Sequence, residues 1–141
     1  MGERPPAIEG LLETALYVDD MARSVAFFRD VLGLRPMLEG ERLAAFDAGR
    51  QGVLLVFARG QSVADMPSER GVVPGHDGQG PLHMAFAISE AEYEPWKAHL
   101  SRTGVVLRGE MHWPRGGRSL YFEDPDGHVL ELATPGLWPT R

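Results

Sequence analysis

The stretch GRSLYFEDPDGHVLELATPG, residues 117–136, decides the fold because it predicts a β-hairpin. Residues 119–122 alternate small or polar with large apolar side chains, as a half-buried strand does. Residues 124–127, Asp-Pro-Asp-Gly, predict a tight turn, since proline presets φ at one corner and glycine tolerates positive φ. Residues 128–133 then form the return strand of the hairpin.

The return strand contains one residue that raises the question of function. Glu131 lies in the middle of this strand, between Leu130 and Leu132. An unpartnered carboxylate is very costly to bury. We therefore expect Glu131 to be paired, metal-bound or solvated within a cavity.

The composition is that of an ordinary globular domain of 141 residues, 43% of them hydrophobic and 24% charged. A net charge of −6 disfavours nucleic acid and anionic membranes as partners. Because the chain has no cysteine, disulfides, thiolate zinc sites and cysteine nucleophiles are excluded, which fits a cytoplasmic protein. The chain shows no signal-peptide pattern and no run of about 18 apolar residues, so we expect no membrane span.

The order of predicted elements is strand, helix and three strands, and it occurs twice. We predict one domain over residues 1–141 that contains two such modules, at about 11–60 and 81–136, joined by a Gly- and Pro-rich linker or mobile loop at about 61–80. The predicted strands and helices are strand 11–18, helix 21–32, strands 34–38, 43–47 and 53–58, strand 81–88, a helix at about 95–103, strand 105–107 and the hairpin.

The two modules align with each other along the sequence. Residues 12–18 match residues 82–88, and residues 46–56 match residues 122–132, in their pattern of large and small positions. In this alignment Glu13 is the equivalent of His83, and Leu55 is the equivalent of Glu131. If Glu131 points into a cavity between the modules, the pseudo-symmetry points Glu13 and His83 there as well.

Glu13, His83 and Glu131 form a candidate metal triad. Two carboxylates and one imidazole suit Fe²⁺, Mn²⁺, Ni²⁺, Co²⁺ or Zn²⁺, and three protein ligands leave positions open for water and substrate. Each residue taken alone has a simpler explanation, as a strand histidine bonded to a neighbour or a carboxylate at a solvated edge. Their equivalent places in a duplicated module favour the metal interpretation.

The chain resembles the vicinal oxygen chelate superfamily, which includes glyoxalase I, extradiol dioxygenases, fosfomycin-resistance proteins and bleomycin-resistance proteins. The resemblance is carried by LETALYVDDMARSVAFFRDVLGL, PLHMAFAI and RSLYFEDPDGHVLELATPG, in this order. It implies an α+β fold of two βαβββ modules whose curved mixed sheets enclose a metal cleft. The family's metal residues fall on Glu13, His83 and Glu131, and its members are commonly homodimers.

This chain departs from the family pattern at two positions, and the departures bear on which branch of the family it is expected to resemble. The first-strand ligand is often histidine in this superfamily, whereas this chain has Glu13. Glyoxalase I carries a fourth glutamate where this chain has Leu55, which can neither bind metal nor move a proton. A three-ligand site is more similar to the dioxygenase and fosfomycin-resistance branches.

Five further residues are candidates for contact with substrate. Strand alternation places Tyr121 and Ser119 on the face of Glu131; Tyr121 is the candidate catalytic residue, as a hydrogen-bond donor to a metal-bound oxyanion, and Ser119 a candidate substrate ligand. Arg118 could pair with an anionic substrate, His76 could act from the loop before His83, and Trp113 could line the mouth of the cleft. The simpler alternatives are a core tyrosine, an exposed arginine, an exposed loop histidine and a tryptophan that plugs the barrel edge.

We therefore predict a divalent-metal-dependent lyase or dioxygenase that acts on a small substrate through its vicinal oxygens. One alternative is a fosfomycin-type enzyme that opens an epoxide. The alternative from another class is a metal-free protein of the bleomycin-resistance type that sequesters a drug. The negative net charge suits a cationic drug, whereas a complete triad is unnecessary for a protein that only binds.

Overall fold

Two four-stranded sheets and two helices make up this computed structural model, which describes residues 2–140. The strands are β1 (Glu13–Val18), β2 (Arg35–Glu39), β3 (Leu43–Asp47), β4 (Val53–Ala58), β5 (Met66–Ser68), β6 (Gly71–Val73), β7 (His83–Ala87), β8 (Gly109–His112), β9 (Arg118–Glu123) and β10 (Val129–Ala133). The helices are α1 (Met21–Ala26), which continues as a π-helical turn (Phe27–Val31), and α2 (Tyr93–Arg102), which follows a 3₁₀ turn (Glu90–Glu92). None of the helices in residues 2–140 has the length and apolar character that crossing a membrane requires.

The two sheets have the same topology, as the duplicated pattern predicts. Sheet one has the strand order β1-β4-β3-β2, and sheet two has the order β7-β10-β9-β8. In each sheet the first strand of the module pairs in parallel with the fourth, and the remaining pairs are antiparallel. The predicted α+β fold of two βαβββ modules is confirmed.

The helices begin close to their predicted positions. Asp20 caps α1, because its carboxylate accepts a hydrogen bond from the Arg23 backbone N–H at 3.1 Å. In α2 the regular helix begins at Tyr93 rather than at Pro95. Pro95 is tolerated there because the backbone N–H groups of the first helical turn have no partner within the helix.

One continuous hydrophobic core covers the helix-facing sides of both sheets. Buried side chains of sheet one, such as Phe46, and of sheet two, such as Phe122, belong to the same cluster. The β9–β10 turn also joins the modules, because the Asp126 carboxylate accepts from the Asp19 backbone N–H at 2.9 Å and from the Ser24 hydroxyl at 3.3 Å. The opposite side of each sheet, called here its open face, lies away from this core.

One sequence-based prediction was wrong. The strand expected at 105–107 begins later, at Gly109, because Val105 and Leu107 pack against the core from a segment that is not paired with β9. The segment 61–80 is also more structured than expected: β5 and β6 pair as a hairpin, and Asp77 accepts a hydrogen bond at 2.9 Å from a backbone N–H at the end of β4. Asp77 therefore ties this segment to the chain just after β4.

Candidate metal centre

Strand alternation places a row of chemically active side chains on the open face of sheet two. Glu131 on β10 pairs with Tyr121 on β9 and with Ala85 on β7. His83, at the start of β7, lies one pleat further along the same face. The alanines beside it, Ala85 and Ala87, are exposed, so their small side chains leave this face open.

The imidazole of His83 is held in one orientation by the backbone. Its Nδ1 lies 2.9 Å from the carbonyl oxygen of Val129, on the neighbouring strand. Because a carbonyl only accepts hydrogen bonds, Nδ1 carries the proton, and the lone pair of the neutral ring is on Nε2. Nε2 lies 3.3 Å from Oε1 of Glu131. The two atoms of the site that are best suited to bind a metal ion therefore lie next to each other.

The carboxylate of Glu131 is held from its other side. Its second oxygen, Oε2, accepts a hydrogen bond of 2.5 Å from the hydroxyl of Ser119. That hydroxyl accepts in turn from the indole Nε1–H of Trp113 at 2.8 Å. Glu131 is only 4% exposed, and this chain of two hydrogen bonds fixes the carboxylate so that Oε1 faces His83.

Tyr121 stands beside this pair. Its ring is stacked on the ring of His83 with the centroids 6.3 Å apart. Burial and the negative charge of Glu131 raise the pKa of Tyr121 above its ordinary value of 10. A hydrogen bond to Glu131 raises this pKa further, and the phenol is therefore protonated at neutral pH.

These groups line a cleft of about 740 Å³. The remainder of its lining is apolar or aromatic, except for Thr134, and includes the segment that follows β10. The lining residues are His83, Met84, Ala85, Phe86, Ala87, Trp113, Tyr121, Glu131, Ala133, Thr134, Leu137 and Trp138.

The third member of the predicted triad lies elsewhere. Glu13 is exposed at the start of β1, on sheet one, and lines a neighbouring cavity of about 180 Å³, which shares residues 84–87 of β7 with the cleft but includes neither His83 nor Glu131. Among residues 2–140, no group of three His, Asp or Glu side chains is arranged to hold a metal ion. A single chain thus brings His83 and Glu131 together and leaves Glu13 apart.

Three of the predicted substrate ligands are not among the residues that line this cleft. Ser119 is fully buried and bonds to Glu131, and the other two point elsewhere. Arg118 faces the helix side of sheet two, where its guanidinium pairs with Glu90 at 2.6 Å and lies 3.8 Å from the centre of the Tyr93 ring. His76 lies against sheet one, where its Nδ1 is 2.8 Å from the hydroxyl of Tyr17. The predicted roles of both residues in substrate binding stay predictions.

Three features of the site are absent from the sequence-based prediction. The backbone carbonyl of Val129, which sets the tautomer of His83, has no side-chain signal and follows only from the β7–β10 register. The hydrogen bonds from Trp113 to Ser119 and from Ser119 to Glu131 depend on the pairing of β8 with β9. The sequence-based prediction placed this strand at 105–107 and therefore did not bring Trp113 next to Ser119. Leu137 lines one side of the cleft because its segment packs against Gly117. This contact between distant residues has no signal in the sequence pattern.

The donor set fits a divalent metal ion in part. An imidazole nitrogen and a carboxylate oxygen, here 3.3 Å apart, are the ligand types of Zn²⁺, Mn²⁺, Fe²⁺, Co²⁺ and Ni²⁺. The hydrogen bond from Nδ1 to a carbonyl and the hydrogen bond from a hydroxyl to Glu131 are the supporting contacts that such ligands make in metal sites. His83 and Glu131 are therefore the two members of the predicted triad whose positions in one chain suit a shared metal ion.

The sequence and fold of this chain also match those of known proteins. The family model described as Glyoxalase/Bleomycin resistance protein/Dioxygenase superfamily matches residues 10–132. A relative in Staphylococcus epidermidis, named metallothiol transferase FosB, is 33% identical over 92% of this chain and 86% of its own length.

Solved structures show the same architecture. A lactoylglutathione lyase from Agrobacterium tumefaciens superposes with a TM-score of 0.85 at 33% identity, covering 96% of this chain and 99% of its own. The fosfomycin resistance protein FosX from Mesorhizobium loti superposes with a TM-score of 0.64 at 26% identity, covering 91% of this chain and 93% of its own. These three relatives carry the names of enzymes or of a resistance protein.

Proposed function

This chain belongs to the Glyoxalase/Bleomycin resistance protein/Dioxygenase superfamily, and from that premise we propose that it is a divalent-metal-dependent enzyme acting on a small substrate that offers two adjacent oxygens. One observation carries the proposal above the others. Nε2 of His83 lies 3.3 Å from the oxygen of Glu131 that Ser119 does not contact, while Nδ1 of the same ring bonds to the Val129 carbonyl. A pair that served only to stabilise the fold would not need its two donor atoms on an open sheet face.

The third ligand in this proposal is Glu13 of a second copy of the chain. Glu13 occupies on sheet one the position that His83 occupies on sheet two, at the start of the first strand of its module. The parts of the two open faces nearest these residues are accessible, since Ala85 is exposed and Ala15 and Leu55 are only half-buried, whereas His76 covers the Tyr17–Phe57 row of sheet one. A symmetric dimer that places sheet one of each copy over sheet two of the other would complete two equivalent sites.

The residues of the cleft have distinct tasks in the proposed reaction. A divalent ion bound by His83 and Glu131 would supply Lewis-acid polarisation of a substrate oxygen. Tyr121 donates its phenol proton in a hydrogen bond to the oxygen on which negative charge develops. Ser119 keeps Glu131 oriented, and Trp113 both holds Ser119 and covers one side of the cleft, which limits the access of water.

The metal content of the purified protein tests this proposal. The protein is loaded separately with Mn²⁺, Fe²⁺, Ni²⁺ or Zn²⁺, desalted and analysed by elemental mass spectrometry, beside a Glu131→Ala variant and an Asp30→Ala variant. We expect about one ion per chain in the wild type and in Asp30→Ala, which lies at an exposed ion pair with Arg29, and loss of the ion in Glu131→Ala. Failure of the wild type to retain any of these ions would leave a ligand-sequestering protein as the better account.

A second candidate reaction is the transfer of a thiol to a small electrophile. It is favoured by the 33% identity to a protein named metallothiol transferase over 92% of this chain. In this reaction the thiolate sulfur bonds to a carbon of an epoxide, the carbon–oxygen bond breaks, and the released oxygen takes up a proton. Mass spectrometry of fosfomycin incubated with glutathione and the metal-loaded protein tests it, since the adduct has the summed mass of both reactants.

A further inference from the structure

We propose that the cleft on sheet two accepts a substrate whose body is apolar and uncharged beyond its two metal-facing oxygens, and that Trp138 with Leu137 selects for it. This inference rests on the proposed function, because it concerns the substrate of the same site. The evidence for it is the chemistry of the cleft lining and the fixed position of the segment after β10, in which Leu137 and Trp138 form an apolar wall of the cleft.

The lining lacks groups that would hold an anionic substituent. Among the twelve described residues that line the cleft, none is Lys or Arg, and the one carboxylate is Glu131. Arg118 is next in sequence to a residue of the site but is directed away from it, toward Glu90 and Glu94. A carboxylate or phosphonate on the substrate would lose its hydration without gaining a cation, and it would lie close to a fixed negative charge.

The open face of sheet one, which a second copy would place over the cleft, presents no unpaired Lys or Arg from its described strand residues, and the histidine that lies on it, His76, is bonded to Tyr17. Strand register puts Ala15, Leu55 and Ala45 in one row of this face, and Tyr17 and Phe57 in the next. The row that contains Glu13 also contains Val53 and Asp47, and the guanidinium of Arg35 at its edge is paired with Asp47 at 3.0 Å. Apart from His76, the complete cleft would therefore be apolar and acidic.

The apolar wall is held in place by the β9–β10 hairpin. The backbone N–H of Arg118 donates to the Thr134 hydroxyl at 2.8 Å, and the Thr134 N–H donates to the Arg118 carbonyl at 3.0 Å. The following turn packs so closely on Gly117 that a Cβ added there would lie 2.7 Å from Leu137 Cδ1. The segment therefore directs Leu137 and Trp138 into the cleft.

Trp138 is well suited to bind a substrate group. It is 69% exposed, so its ring keeps most of its surface free for contact. A large aromatic side chain on the rim of a cleft gains free energy by covering an apolar ligand. We infer that Trp138 packs on the substrate body while the two oxygens of the substrate face His83 and Glu131.

Three hydroxamates with the same pair of chelating oxygens test the proposal. Benzohydroxamate has an apolar body, 4-carboxybenzohydroxamate adds one negative charge, and acetohydroxamate lacks the ring. Their affinities are measured by calorimetry with the Zn²⁺-loaded protein and with the metal-free protein. We expect benzohydroxamate to bind the Zn²⁺ form at least about tenfold more tightly than either of the others.

Two variants of Trp138 and one control variant test whether Trp138 causes the preference among the three ligands. Trp138→Ala should weaken the binding of benzohydroxamate about fivefold and leave that of acetohydroxamate unchanged. Trp138→Lys should reverse the preference toward 4-carboxybenzohydroxamate by providing a cation. Trp96→Phe alters a tryptophan of a separate groove, beside His99, and should leave all three affinities as in the wild type.

The outcomes separate this inference from the proposed function. Equal binding of all three ligands to the Zn²⁺ form, or tighter binding of the carboxylated one, would overturn the apolar selection and leave the metal site intact. Selective binding of benzohydroxamate that is the same with and without Zn²⁺ would support the apolar wall and count against the metal enzyme. Absence of binding in both forms would overturn the inference.

Discussion

Nε2 of His83 lies 3.3 Å from Oε1 of Glu131, and each side chain is held in this position by a contact on its far side. The Val129 carbonyl fixes the imidazole at 2.9 Å, and the Ser119 hydroxyl fixes the carboxylate at 2.5 Å. The two donor atoms therefore do not depend on a bound ion for their orientation. This preorganisation lowers the conformational entropy that the two side chains would lose on binding a metal ion.

Removing the support of Glu131 should weaken metal binding. In Ser119→Ala the carboxylate loses the hydroxyl donor that holds Oε2, and we expect the metal affinity to fall about 10- to 100-fold with the fold retained. Titration against a competing chelator measures this change. Ser62→Ala is a matched control, since Ser62 is also buried but accepts from Arg42 on sheet one, and its metal affinity should equal that of the wild type.

Tyr121→Phe should slow the reaction while metal binding is kept. Loss of a hydrogen-bond donor to a developing oxyanion costs about 10²-fold in kcat. Because burial and Glu131 raise the pKa of Tyr121, the donor is present below pH 10 and is lost only when the pH rises through that raised value. A pH–rate profile measures the pH above which the rate falls as the phenol loses its proton. Retention of full kcat by Tyr121→Phe would show that Tyr121 takes no part in the reaction.

Tyr93→Phe is the matched control for Tyr121→Phe. Tyr93 is buried away from the cleft and donates to Glu110 at 2.7 Å, and desolvation with that contact raises its pKa. We expect normal kcat and a loss of about 1 kcal/mol in the free energy of unfolding. Urea unfolding followed by circular dichroism measures the latter.

The contact between modules at Asp126 should contribute more to stability than a surface ion pair. The Asp126 side chain is 2% exposed and accepts from the Asp19 backbone and the Ser24 hydroxyl. Asp126→Ala leaves these donors without their acceptor, and we expect a loss of about 2 kcal/mol in the free energy of unfolding. Asp30→Ala, in the exposed pair with Arg29, should leave stability unchanged.

Asp124→Asn should stabilise the protein at neutral pH. Burial raises the pKa of Asp124, while Oδ2 has no hydrogen-bond partner among the described residues. A raised pKa means that the folded state binds the proton more tightly than the unfolded state, so the stability due to this group falls as the pH rises from below 3.8 through the raised value. Oδ1, which accepts from the His128 N–H, is retained in asparagine.

We expect Asp124→Asn to gain about 1 kcal/mol at pH 7 and less at pH 4, where the wild-type carboxyl is partly protonated. Thermal unfolding at the two pH values, with Asp65→Asn as an exposed control, measures the difference. An equal effect of Asp124→Asn at both pH values would contradict the assignment of the penalty to the ionised carboxyl.

Much of the fold follows from patterns in the sequence. The duplicated order of strands and helices predicts two equivalent sheets because period-two and period-3.6 stripes are local properties of the chain. The hairpin at 118–133 is predicted from its Asp-Pro-Asp-Gly turn and is present as β9 and β10. The faces of Glu131 and His83 follow from alternation alone.

What the sequence misses depends on contacts between distant segments. Val105 and Leu107 have strand-like patterning, yet their apolar side chains pack against the core without a partner strand. The separation of Glu13 from His83 and Glu131 depends on how the modules are arranged, which pseudo-symmetry does not determine, because the same modules can face each other within a chain or between two chains.

The direction of Arg118 could be predicted from the pattern, because it alternates with Ser119 along β9 and therefore faces the helices. The expectation that it binds substrate relied on its position in sequence beside the site. The bonding of His76 to Tyr17, in contrast, depends on the fold of the 75–80 segment over sheet one and has no local signal.

The metal content of a hybrid dimer tests the central claim most directly. Glu13→Ala and Glu131→Ala chains are co-expressed with different affinity tags, and the hybrid is isolated through both tags. Each homodimer should lack metal, whereas the hybrid should carry about half the wild-type content, because one of its two sites has Glu13 from one copy and His83 with Glu131 from the other. Full metal content in the Glu13→Ala homodimer, or a hybrid without metal, would contradict a site shared between two chains.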